Sequence, residues 1–186
     1  LIAAAERPVV VLGTDVWADH AEHAALAFVE ATGLPTLTNG MGRGVVPGGH
    51  RQLVTKARGA AFAQADLVVV AGTPLDFRLG YGVFGGKDGA QPAAVVHLAD
   101  SDSQISHHAA PAASLAGPLA EIFTALTEAV DRALTASSRR PDWSAWLAAL
   151  ADQAGAAAER DRALLSAEAD PIHPARIYGE LLPRLA

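Results

Sequence analysis

The chain has 186 residues, 51% of them apolar, and a formal net charge of −6. That length suffices for one domain with a sizeable core, and an acidic balance without a basic stripe argues against nucleic acid as a partner. There is no cysteine, which excludes disulfides and thiolate metal sites and suits a reducing compartment; no apolar run approaches the ~20 residues of a bilayer span.

Leu1 to Glu6 has the composition of a helix tail, and Leu1–Ala5 is too short, and lacks the basic flank, for a signal peptide. Pro8 to Leu12 is apolar, β-branched and followed by Gly13, the pattern of a buried strand ending in a tight turn. A loop from Thr14 to Ala18 is expected next, then a helix from Asp19, as N-cap, to Thr32, closed by Gly33. Leu34 to Thr38 is a short second strand, with the glycine-rich turn Asn39-Gly40-Met41-Gly42-Arg43-Gly44 at its carboxyl end. Val45 to Thr55 lacks a regular period, and Arg58 to Gln64 forms a short helix.

Leu67-Val68-Val69-Val70-Ala71 is the most apolar stretch and the expected centre of a sheet. Gly72 to Gly80 leaves its carboxyl end, the edge at which open α/β sheets bind ligands. Asp76 and Arg78 in that loop either face one ligand together, or cap a helix or pair with each other on the surface. Gly80 to Gln91 is glycine-rich, which predicts mobility. Ala93 to Leu98 is a fourth strand, with Asp100, Ser101, Asp102 and Ser103 following, and Pro111 to Leu115 a short edge strand. Leu119 to Leu134 carries Ile122, Phe123, Leu126 and Val130 on one helical face. Trp143 to Leu165 is a further helix outside the strand–helix alternation, and Pro171 opens another helical pattern that runs to Ala186. The alternation predicts an α/β fold with a Rossmann-like parallel sheet and helices on both faces.

Three loops, Gly13–Trp17, Asn39–Gly44 and Gly72–Arg78, are expected at one sheet edge, with the acidic turn after His97 as a fourth. Their backbone N–H groups, with Arg43, Arg58 and Arg78, could hold a diphosphate; alternatively the glycines are what tight turns require. Gly13 is followed by Thr14 and Asp15, so the dinucleotide fingerprint is missing, as are Walker A and the nucleophile elbow. His20 and His23 are expected one turn apart on a solvated helix face, His97 as a packed or hydrogen-bonded residue, and His107 and His108 pointing apart, so no metal site is expected. No catalytic residue is expected either. Trp143 and Trp146 are expected to share a helix face and anchor that helix.

These motifs in this order, namely Arg7-Pro8-Val9-Val10-Val11-Leu12-Gly13, Leu34-Pro35-Thr36, Met41-Gly42-Arg43-Gly44, Ala65 to Gly72, Asp76-Phe77-Arg78 and Val95-Val96-His97, resemble the central domain of thiamine-diphosphate-dependent enzymes, in particular acetolactate synthase. The resemblance implies a central nucleotide-binding domain over 1–135, a helical linker over 136–170, and the start of a truncated C-terminal thiamine-diphosphate-binding domain over 171–186. It implies a fragment, inactive alone, of a cytoplasmic, oligomer-forming transferase or lyase of branched-chain amino acid biosynthesis. The parent would decarboxylate one 2-keto acid and condense it with another, using thiamine diphosphate and Mg held outside this stretch. The fragment's partners would be the remaining domains of the parent, in a homo-oligomer, and a small nucleotide. The implied cofactor of this domain is FAD, in a structural role; the alternatives are an ADP-type nucleotide, as in other decarboxylases and lyases of the family, or a structural domain without ligand. The residues implied to contact it are Asn39, Gly40 and Met41 in the second turn, Arg58 and Gly59, and Gly72, Asp76, Arg78 and Leu79 in the third loop. Pro74, Ala99 and Pro118 depart from the family's usual arginine, aspartate and aspartate. Each lost polar partner removes a hydrogen bond worth ~0.5–1.5 kcal/mol net.

Overall fold

The computed structural model describes residues 1–86, 91–136 and 141–185. Its centre is a five-stranded sheet in the order β2-β1-β3-β4-β5. The strands are β1 (Pro8–Leu12), β2 (Thr36–Thr38), β3 (Leu67–Ala71), β4 (Ala94–Ala99) and β5 (Ala113–Ala116). All four pairings are parallel, with Val10 beside Val69 and Val69 beside Val96 at the middle of the sheet. Parallel strands need crossovers, and the crossovers cover both faces, so β1 and β3 are buried along their whole length.

Side chains alternate across the sheet, and two cores result. Val10, Leu12, Leu67, Val69, Val96 and Leu98 point to one face, beneath α2 (Glu22–Thr32) and α4 (Leu119–Ala136), where Phe28 and Phe123 meet with ring centroids 5.6 Å apart. Val9, Val11, Val68, Val70 and Val95 point to the other, beneath α3 (Arg58–Gln64) and α5 (Ser144–Arg162). The α/β reading with helices on both faces therefore holds.

Several local expectations are corrected. Thr14–Ala18 is a short helix, α1, and not a loop; α2 starts at Glu22, after a junction in which His20 takes φ +54°. His20 and His23 therefore do not share a helix. Asp19 does cap a helix, but a distant one: its carboxylate accepts the N–H of Leu119, the first residue of α4. Pro118, which precedes it, has no side-chain acceptor, so the capping acid comes from a residue distant in sequence. The tryptophans do anchor α5, though from opposite sides. The Trp143 indole donates to Ala5 O at 2.9 Å and packs into the α2–α4 core; that of Trp146 donates to Pro8 O at 3.0 Å and packs into the α3–α5 core. Together they straddle the amino end of β1. Helix α5 lies in the stretch expected as a linker, and it buries Trp146, Leu147 and Leu150 against the sheet. Helix α6 (Pro174–Leu185) buries no residue; Gly179 lies against Leu165 O. The expected mobile stretch 80–91 is described as far as Gly86, where it forms turns; residues 87–90, like 137–140 of the expected linker, lie outside the described residues.

The outer side of β2 is covered by the segment around Leu53, with Thr36 N donating to Gln52 O at 2.7 Å and Val54 N to Thr36 O at 2.9 Å. The outer edge of β5 has all its residues exposed.

Candidate functional site

The strand order reverses between β1 and β3, and in open α/β sheets the carboxyl edge at such a reversal is the ligand-binding crevice. Here that crevice is closed by the loops themselves. Asp15 N donates to Gly72 O at 2.9 Å, and Gly13 sits so tightly that a Cβ would strike Gly72 O and the Thr73 side chain. A Cβ on Gly72 would lie 2.7 Å from Val16 N, and Gly72 has φ +63°. Gly40 packs on the Thr14 hydroxyl and Gly42 on Leu12 O. These four glycines let neighbouring loops touch each other, and of them Gly40 and Gly72 also take the positive φ that tight turns require. The loops converge as expected; the close approaches glycine permits are made to protein backbone.

The expected site residues fall into three groups. Asn39, Gly40 and Met41 cap β2: Asn39 N extends the β1–β2 ladder to Leu12 O at 2.8 Å, and Met41 N donates to Thr14 Oγ1 at 3.3 Å. Arg58 and Gly59 open α3, and a Cβ on Gly59 would meet nothing within 4 Å. The start of α3 is fixed from below, because Thr55 Oγ1 lies 3.0 Å from the Thr38 amide and 3.1 Å from the Thr38 hydroxyl. Gly72, Asp76, Arg78 and Leu79 lie on the third loop, which folds into a 3-10 turn over Phe77–Gly82. Leu79 is 1% exposed and belongs to the core, so its side chain packs and only its backbone faces the edge.

Asp76 and Arg78 face each other. Asp76 Oδ1 accepts the Arg78 N–H at 2.9 Å, and its carboxylate accepts Nη2 at 2.6 Å and Nε at 3.0 Å. The Arg78 bonds hold the Asp76 carboxyl below the usual carboxylate range, and Asp76 raises Arg78. The cap-and-pair alternative is thus the one adopted. Arg58 is in a different state. Its Nη2 donates to Arg78 O at 2.6 Å, and its guanidinium lies over the Phe62 ring, 4.8 Å from the centroid. Partial burial, and then the charge of Arg43, push its pKa down. Among the described residues neither Arg43 nor Arg58 forms a salt bridge with a carboxylate. Arg58 thus feels the like charge of Arg43 at one end of the sheet edge, and a locally positive end of this kind favours an anion.

On the other side of the edge the charge is negative. Burial raises the pKa of Asp15, and Asp100 and Asp19 raise it further. Asp15 and Thr14 were not singled out in the sequence, because neither lies in a fingerprint; their proximity to Asp100 and Met41 exists only in the fold. His97 is buried, as expected, with Nε2 3.1 Å from Thr73 O and Nδ1 without a partner. Burial lowers its pKa, against the Thr73 bond. Among the described residues no group of three or more His, Asp or Glu converges as metal ligands do, and no helix is long and apolar enough to cross a membrane.

Residues 1–126 match the family described as thiamine pyrophosphate enzyme, central domain. The chain belongs to this family. Among curated proteins it is 40% identical to a "Probable acetolactate synthase" of Mycobacterium bovis over 182 residues, 97% of this chain and 31% of that protein. The same figures hold for "Acetolactate synthase large subunit IlvG" of Mycobacterium tuberculosis. A "2-hydroxyacyl-CoA lyase" of Oryza sativa is 42% identical over 82 residues, 44% of this chain and 14% of the relative. The chain thus spans about a third of the acetolactate synthases it matches.

Proposed function

We propose that the chain is the central domain of an acetolactate-synthase-like enzyme and binds FAD across the carboxyl edge of its sheet. The observation that carries the binding reading is Arg58, held by the Arg78 carbonyl and the Phe62 ring at the end of a glycine-rich edge and, like Arg43, in no salt bridge with a carboxylate among the described residues. The diphosphate of the nucleotide lies over these arginines. Because the β1–β3 crevice is closed, the nucleotide lies across the loop tops rather than between the strands. Gly59, which has open space above it, permits a close approach. FAD in this place is a structural group that ties the loops together. The parent decarboxylates one 2-keto acid and condenses it with another, in the cytoplasm and as a homo-oligomer. Thiamine diphosphate and Mg are held by parts of the parent outside these residues, and this domain alone turns over nothing. Support for the parent's reaction is the 40% identity to acetolactate synthases along nearly the whole chain.

The family resemblance implies a second reading, an ADP-type nucleotide in the same place. Titration of the purified chain with FAD and with ADP, followed by calorimetry and flavin fluorescence, separates the two. Saturable FAD binding is expected. Arg58→Ala removes charge-assisted bonds worth ~1.5–3 kcal/mol, so the affinity falls about ten- to a hundredfold. Arg78→Ala causes a smaller loss, because its guanidinium is already engaged by Asp76. Binding of ADP alone moves the reading to another decarboxylase or lyase of the family, and binding of neither leaves a structural domain without ligand.

A further inference from the structure

The third loop is held from behind by the β4–β5 connection. Leu75 N donates to Ser106 Oγ at 3.3 Å, and His108 Nε2 donates to Leu75 O at 2.7 Å. One residue is gripped at both its backbone groups by side chains more than thirty positions away. His97 adds a contact at Thr73 O, 3.1 Å away. The His108 ring also meets Tyr81 edge to face, with centroids 5.7 Å apart. Tyr81 needs that support: it has φ +54°, directly after Gly80 at φ +56°, a left-handed conformation that side-chain-bearing residues adopt only under constraint. The turn closes on itself through Leu79 N to Asp76 O at 3.0 Å and Tyr81 N to Asp76 O at 2.9 Å. The gripped end and the stacked end thus bracket the Arg78 carbonyl, which receives the Arg58 guanidinium.

We propose that Ser106 and His108 are positioning residues for Arg58: they clamp the loop at Leu75 and Tyr81, and the turn they hold presents the carbonyl that fixes the guanidinium. The clamp stands on contacts alone; its consequence for a nucleotide rests on the reading above. Leu75 itself is fully buried, so the clamp transmits position through packed backbone rather than through a flexible tether.

The test uses the whole chain and reads amide hydrogen exchange residue by residue by NMR, with no nucleotide present. Ser106→Ala and His108→Ala each remove one hydrogen bond. Exchange at Leu75, Arg78, Leu79 and Tyr81 is expected to accelerate roughly three- to tenfold, with β1 and β3 unchanged. His108→Gln, whose amide can donate to Leu75 O, restores protection at Leu75. It leaves Tyr81 fast, because the stacking ring is gone. Unchanged exchange in the turn in both alanine variants overturns the clamp. If His108→Ala unfolds, Ser106→Ala and His108→Gln carry the comparison. FAD titration of the same variants then reads the consequence. A weaker affinity, restored in part by His108→Gln, supports the positioning role; a loosened turn with unaltered FAD affinity overturns it. A wild-type chain that binds neither FAD nor ADP overturns the nucleotide reading, while the exchange data still decide the clamp.

Discussion

Gly59 and Gly72 both belong to the expected nucleotide contacts, yet their surroundings call for opposite outcomes on substitution. Gly72→Ala places a methyl group 2.7 Å from Val16 N and 3.1 Å from Val16 Cγ2, on a residue with φ +63°. The left-handed conformation costs a non-glycine residue about 1–2 kcal/mol. Forcing α1 away from β3 adds about 1–3 kcal/mol of overpacking. The sum is a loss of roughly 2–5 kcal/mol, or several degrees to about twenty degrees in Tm at ~2–4 °C per kcal/mol for a chain of this size. Gly59→Ala meets no atom within 4 Å and sits in the first turn of α3. It therefore gains about 0.4–1 kcal/mol from a less flexible unfolded chain. Urea unfolding of both variants, with the slope checked against wild type, measures the difference. A Gly72→Ala chain within about 0.5 kcal/mol of wild type, the range of a neutral surface change, would refute the view that the site glycines serve loop-to-loop packing. Gly59→Ala also isolates function. It should lower FAD affinity without lowering stability if the nucleotide passes over α3.

Other consequences follow from single contacts. Asp19→Ala leaves the Leu119 N–H without its cap and should cost about 0.5–2 kcal/mol, while Asp19→Asn, which keeps a capping oxygen, costs less; thermal unfolding compares them. Trp146→Phe retains a ring but orphans the buried Pro8 carbonyl, for a loss of about 1–3 kcal/mol in urea; equality with wild type would show that the indole bond adds nothing to docking α5. His97 is held below its ordinary pKa of 6.5 by burial, so the unfolded chain binds the proton first as pH falls. Stability contributed by neutral His97 is therefore complete above 6.5 and is lost below it, at about 1.4 kcal/mol per pH unit until His97 itself protonates in the fold. His97→Leu should flatten that slope below pH 6.5, and an identical slope in both proteins would assign it to other groups.

The fold class was legible in the chain because its signals are local. Unbroken valine runs such as Val9-Val10-Val11 and Val68-Val69-Val70 specify strands buried on both faces, and such strands occur in parallel sheets. The end of α2 at Gly33 and both ends of α3 were legible for the same reason, since caps and apolar period act within a few residues. The start of α2 was not, because Asp19 is a good cap by type while its partner amide lies at Leu119 on another element. A capping residue's chemistry is local, but its choice of helix is not. The same distinction divides the site. The sequence by itself determined which residue types stand at the carboxyl edge: glycines after β1, β2 and β3, the Asp76–Arg78 loop, and the arginines at 43 and 58. Only the tertiary structure decided their roles. It pairs Asp76 with Arg78, sends Leu79 into the core, and seals Gly13 against Gly72. It also hangs Arg58 on the Arg78 carbonyl over the Phe62 ring and brings Ser106 and His108 to the back of the loop. The reason is physical. Backbone propensity and burial are read over a handful of neighbouring residues, whereas whether a charge is paired, or a glycine's open side filled, depends on groups that only folding brings within a few ångströms.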